Sequence, residues 1–146
     1  MPLLSIAARV FATLFAGAAV YISLVEHPAR LGLAVGPMLA QWQPSYKRAL
    51  PFQSGLAIAG GVVGLIAGYL SADWRWFAGS ILLLANWPFT LLVIMPVNKP
   101  LMAMEEREAG AGSRAMLVHW GKLHNIRSLL GASTMLLFAS ALAGAG

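Results

Sequence analysis

The chain has 146 residues, of which 59% are hydrophobic and 10% charged, where a soluble domain carries about 25% charged residues. A chain this short cannot bury so much apolar side chain, so much of it must face lipid, and an ordinary soluble domain is excluded. The absence of cysteine excludes disulfides, thiolate metal sites and cysteine nucleophiles; the net charge of +5 reads as membrane topology rather than nucleic-acid binding.

The first apolar run, about residues 3–25, is long enough to span a bilayer. A cleaved signal peptide competes with that reading, because Phe15 to Ala19 offers small residues for cleavage, but the apolar run continues past any such site. Glu26 and His27 fall where this helix leaves the membrane, and Pro28 is expected to stop it. Residues 29–50 are broken by Gly36, Pro37 and Pro44. With Met38, Leu39 and Trp42 they read as an interfacial or re-entrant segment lying on the bilayer, closed by the cationic cluster Tyr46-Lys47-Arg48.

The second span is expected over 51–70, with Pro51 in its first turn. Gly60, Gly64 and Gly68 recur every four residues and form a smooth ridge for close helix approach. After a short turn at 71–75, with Trp74 and Trp76 read as interface anchors, the third span covers about 76–96. Pro88 near its midpoint predicts a kink. Asn86 and Thr90 share a face and need partners inside the bundle, either in a polar cavity or across helices. Asn98, between Pro96 and Pro100, can cap a helix end. Residues 101–116 are the most soluble part and read as an amphipathic surface helix with a hinge. The fourth span is placed at 126–143.

The stretch leading into it, 117–130, carries the chemistry. At about 100° per residue, Trp120, His124 and Arg127 fall within roughly 60° of one another, and Gly131, Thr134 and Phe138 continue the same face. An ionisable group facing lipid is expensive, so this face points inward, and His119 points away. Four spans put both termini on one side and the connections 26–50 and 97–125 on the other. Arg30, Lys47, Arg48, Lys99, Arg107, Arg114 and Lys122 lie in those connections, against Arg75 and Arg9 opposite. The positive-inside rule therefore places the long loops in the cytoplasm, in an all-α bundle of four spans whose expected location is a bacterial inner (plasma) membrane.

That topology collects Glu26, His27, Tyr46, Arg48, Asn98, His119, Trp120, His124 and Arg127 near one membrane face, as a polar pocket in a four-helix bundle. One chemistry for the group is a metal site of His27, Glu26 and His124, for copper or iron. Another is acid–base work on a lipid-soluble aromatic: a histidine removes a proton, Trp120 stacks on the ring, Arg127 stabilises the anion, and Tyr46, Arg48 and Asn98 help to hold the substrate. A third is a network that only pins helices. A quinone-binding or metal-binding subunit of a larger membrane complex, and a structural or transport protein, also remain open.

His27-Pro28, Tyr46-Lys47-Arg48, Pro96-Val97-Asn98 and Trp120-x-x-x-His124-x-x-Arg127, in this order over nearly the whole chain, resemble the anthrone-oxygenase-like family of small four-span membrane proteins. The resemblance implies a membrane-embedded pocket. From the family's fungal members it also implies oxygenation of an anthrone to an anthraquinone without a metal or flavin cofactor. On that footing His27, Asn98, Trp120, His124 and Arg127 are the matched residues, with His124, His27 and Arg127 catalytic. The expected partners are the bilayer, a hydrophobic aromatic or quinone-like small molecule, and a second copy or another membrane protein, with no nucleic acid.

Overall fold

The computed structural model describes residues 2–144 and the side chains of 3–144. Among these there is no strand, and four long helices make up nearly everything: α1 (Leu3–Leu31), α2 (Val35–Ser71), α3 (Trp74–Ala103) and α4 (Ala111–Ala143). Each is long and apolar enough to cross a membrane, so the all-α, four-span expectation is borne out and the protein is an integral membrane protein. The helices pack in chain order around a square, with α4 closing against α1, and the diagonal pairs touch little.

The faces follow membrane logic, with small residues inward and large apolar ones outward. On α1, Ala8, Ala12, Phe15 and Ala19 are buried, while Leu3, Ile6, Val10 and Leu14 face out. The glycine ridge of α2 does what its spacing implies: a Cβ on Gly64 would collide with Ser80 of α3 and Phe138 of α4. Phe138 in turn packs on Trp76, with ring centroids 4.7 Å apart. Trp76 is thus a core residue and not the interface anchor expected of it; Trp74 remains exposed.

The helices are longer than the apolar runs. At 37 residues, α2 extends for about 55 Å, against a hydrocarbon core of about 30 Å. Residues 29–50 form no interfacial segment, because α2 begins at Val35 and runs through Pro44 and Pro51 to Ser71. Each proline removes one backbone donor, but continuing the helix keeps Met38, Leu39 and Trp42 fully buried at 3–4 spacing. The amphipathic segment expected before the fourth span is likewise absorbed. α3 runs to Ala103, a 3₁₀ turn covers Glu106–Glu108, and α4 starts at Ala111.

Pro28 does not end α1. The turn ahead of it widens, His27 N–H bonding the Ile22 carbonyl five residues back, so that Ile22–Glu26 is a π-turn and the proline ring clears the preceding turn. α3 repeats this ahead of Pro96, with Met95 N–H on the Thr90 carbonyl across Thr90–Ile94. The helix also continues through Pro88. Asn86 Nδ2 donates to the carbonyls of Leu82 and Leu83 at 3.3 and 3.1 Å, and Thr90 Oγ1 to that of Asn86 at 2.7 Å. The amide nitrogen of Asn86 and the Thr90 hydroxyl thus answer their own backbone, while Asn86 Oδ1 is buried without a partner and Thr90 also borders an apolar groove between α2 and α3.

Two side chains fasten the end where α1 and α3 finish. Gln43 Nε2 donates to the carbonyls of Leu101 and Met104, both at 2.8 Å. Arg114 donates to those of Leu31 and Leu33 at 2.8 and 2.6 Å, satisfying orphan carbonyls at a helix C-terminus. The candidate site lies at this end.

Candidate functional site

Because α1 continues past Pro28, Glu26, His27 and Arg30 fall on successive turns of one helix, and the i, i+4 spacing lets Glu26 and Arg30 pair. Arg30 is 3% exposed and fully engaged. It donates to Glu26, to Gln41, to Ser45 Oγ at 3.5 Å and to His27 Nδ1 at 3.3 Å. Ser45 also donates to Glu26. A guanidinium only donates, so His27 Nδ1 accepts and the ring proton sits on Nε2. That nitrogen lies toward the Leu117 carbonyl without well-directed hydrogen-bond geometry. It also lies against Gly121, where a Cβ would overlap the His27 ring; α4 has a glycine there because the imidazole needs the space.

The neighbouring wall is α4. Trp120, His124, Arg127, Gly131, Thr134 and Phe138 are all buried, and His119 is exposed, so the inward face and the split between the two histidines are as expected. The Trp120 ring touches both imidazoles, its centroid 5.1 Å from that of His27 and 4.9 Å from that of His124. Trp42 of α2 meets it edge-on at 5.8 Å and stacks on Tyr46 at 5.0 Å. The indole nitrogens of both tryptophans, His124 Nδ1 and Arg127 Nε are buried with no hydrogen-bond partner.

Arg127 is 7% exposed, yet no ion pair reaches it among the described residues. Its guanidinium lies 5.7 Å from the centre of the Phe15 ring, a cation–π contact and not a neutralising one. A buried cation without an anion is costly, so this is the least compensated group in the site.

Between the walls is a cavity of about 20 Å³ lined by Glu26, Arg30, Trp42, Tyr46, His124 and Arg127 among others, room for about one water molecule. The structure thus brings together His124, Arg127, Trp120, Tyr46 and Glu26, with His27 behind Trp120. It does not bring in Arg48, which is exposed and turned back to the Pro44 carbonyl at 3.4 Å; on a helical α2 it points away from Tyr46's face. Asn98 is buried within α3, facing the Tyr46 hydroxyl without a well-directed hydrogen bond, and so backs the cavity rather than capping a helix. His27, Glu26 and His124 form no three-ligand group among the described residues. Glu26 is turned to Arg30 and Ser45, and both imidazoles pack on the Trp120 ring.

Residues 42–137, well over half of the chain, match the family model described as anthrone oxygenase. The chain belongs to the anthrone oxygenase family. No curated protein and no solved structure gives a significant match. The family match holds Trp42, Tyr46, Asn98, Trp120, His124 and Arg127, whereas Glu26, His27 and Arg30 precede it. This anthrone oxygenase family member therefore builds one wall of its cavity outside the matched region.

Arg30, Trp42, Ser45 and Gln53 line the cavity and were missed by the sequence reading. Their signal was helical spacing: 38, 42, 46, 49 and 53 continue one face of α2, and 26, 27 and 30 one face of α1. Treating prolines as helix ends hid both.

Proposed function

We propose that the cavity deprotonates a lipid-soluble aromatic of the anthrone type and lets its carbanion react with dioxygen. The observation that carries this is Arg127, a buried cation without an anion, one helical turn from His124. A developing enolate or phenolate oxygen supplies the missing charge, and a pre-placed donor stabilises such an anion in a water-poor site. The other ring components fit: Trp120 offers a face for stacking, and Tyr46 a hydroxyl near Arg127.

In this scheme the His124 imidazole takes a proton from the activated ring methylene, and the carbanion's negative charge spreads onto the oxygen beside Arg127. The carbanion passes its electrons to dioxygen and forms a carbon–oxygen bond. Imidazolium returns the proton to the peroxide, and loss of the second methylene proton expels water and leaves the carbonyl. One oxygen atom enters the product and the other leaves as water, so dioxygen is the only oxidant and no metal or flavin is called for. We further propose that this end of the bundle faces the cytoplasm, on the strength of Lys47, Arg48, Lys99, Arg107 and Lys122 around it.

The test is oxygen uptake by the purified protein in detergent with anthrone as substrate, alongside metal analysis. His124→Ala and the larger His124→Gln should both abolish uptake, and His119→Ala should retain it. Wild-type rates in both His124 variants, or bound copper or iron that disappears with His124, would overturn the scheme.

A further inference from the structure

A cavity with room for about one water molecule does not admit a fused aromatic, so access requires a wall to move, and α2 supplies the movable one. Pro44 and Pro51 leave the carbonyls of Ala40 and Lys47 without their helical donors, and the segment between the prolines carries Ser45, Tyr46, Ala49 and Leu50 of the cavity lining. On the other side of Leu50 lies a second space, an apolar groove of about 270 Å³ between α2 and α3, lined by Leu50, Pro51, Ser54, Trp87, Thr90, Leu91 and Met95. Its size is close to the roughly 300 Å³ lower bound of small-ligand pockets. Leu50 borders both spaces, and the Tyr46 hydroxyl, on the cavity side, is directed at Met95 Sδ on the groove side at 3.9 Å.

Two residues of the groove suit a flat polar ligand better than a lipid tail. Trp87 lies midway along α3 and is 46% exposed, although tryptophan favours the membrane interface over its centre. Trp87 and Ser54 both border the groove, and neither the indole N–H nor the Ser54 hydroxyl makes a hydrogen bond among the described residues. A hydrocarbon chain answers neither donor, whereas a flat aromatic bearing an oxygen can stack on the indole and accept from either.

We propose that this groove is the membrane-side binding site of the substrate, a flat oxygen-bearing aromatic that passes from it into the cavity when the Pro44–Pro51 segment swings Leu50 aside. The proposal rests on the oxygenation reading for the substrate's class, and its test separates the two.

In nanodiscs of phosphatidylcholine and phosphatidylglycerol, anthraquinone serves as a redox-stable probe, read by quenching of tryptophan fluorescence. Quenching should saturate, should fall in Trp87→Phe and Ser54→Trp, and should persist in His124→Ala. With anthrone as substrate, Trp87→Ala and Ser54→Trp should raise KM roughly five- to tenfold, the size of one lost aromatic contact, with kcat kept. Probe binding at Trp87 without any anthrone turnover would remove the oxygenation reading and leave the groove. Turnover with KM and quenching indifferent to both positions would overturn the groove and leave the reading. Quenching that is absent or never saturates in the wild type means lipid alone occupies the groove, and also overturns it.

Discussion

Arg30, on the α1 wall of the cavity, has Glu26, Gln41, Ser45 and His27 around its guanidinium. Arg127, on the α4 wall, has the face of Phe15 and no carboxylate among the described residues. Both are nearly excluded from solvent, so the difference lies in company, not in depth. Arg30 is neutralised within its own helix and positions its neighbours. Arg127 carries a charge without a counter-ion into the bundle, relieved only by the Phe15 ring, and an unpaired cation is what an anion-binding group requires. A close reading of a buried cation therefore starts with whether its partner is already present.

The largest expected effect comes from exchanging that charge for shape. Arg127→Met should lower anthrone-dependent oxygen uptake by about 10²–10³-fold, the scale for losing one pre-placed donor to an oxyanion. Its thermal midpoint should stay level or rise, because removing an unpaired buried charge leaves no orphan behind. Arg30→Met should do the reverse in stability, costing about 3 kcal/mol by stranding Glu26, whose partial exposure keeps the figure at the low end of the range for a broken buried pair. Chemical denaturation in mixed micelles reads both. If the two variants prove equally destabilised, Arg127 is a structural arginine and the contrast collapses.

How much of this was legible in the sequence follows from how each feature is encoded. The α4 face could be read outright, because Trp120, His124 and Arg127 sit at helical spacing with no breaker nearby. The glycine ridge of α2 was legible for the same reason. Arg30 was not, since finding it requires knowing that a π-turn carries α1 past Pro28. That widening is a tertiary choice, made where His27 can pack against Gly121 and Arg30 can reach Gln41 and Ser45. Trp42 and Ser45 were hidden behind Pro44 in the same way. Pro28 and Pro44 read as breaks from sequence alone, whereas burial of Met38, Leu39 and Trp42 offsets the backbone bond lost at Pro44. The cavity's small volume has no sequence counterpart at all.

A smaller effect tests whether His27 belongs to the structural wall. Gly121→Ala would place a Cβ against the His27 ring and should cost about 1–3 kcal/mol through overpacking. His27→Ala removes the obstacle, so Gly121→Ala should cost much less in that background. A double-mutant cycle on unfolding free energy measures the coupling. Additive costs would mean that the ring can move away freely, and that Arg30 does not hold it.

The smallest effect concerns a third arginine, at the opposite end of the bundle, where the contrast can be checked in a wetter setting. Arg75 pairs with Asp73 at 2.7 Å and donates to the Ser140 carbonyl at 2.6 Å, near the end of α4. Asp73 also caps α3, accepting from Arg75 N–H at 2.9 Å. These hydrogen bonds hold the Asp73 carboxyl below its ordinary range. A depressed carboxylate pKa contributes stability that is present above the unfolded value, near 3.9, and lost as pH falls through the folded one. Asp73→Asn keeps a good capping side chain and removes only the charge. Wild type should therefore melt above Asp73→Asn at pH 7, by a margin that closes as the pH is lowered through 4 toward 2. The surface setting keeps that margin small. A margin independent of pH would assign the contribution to the cap alone and leave Arg30 as the arginine, of the three compared, whose carboxylate partner matters.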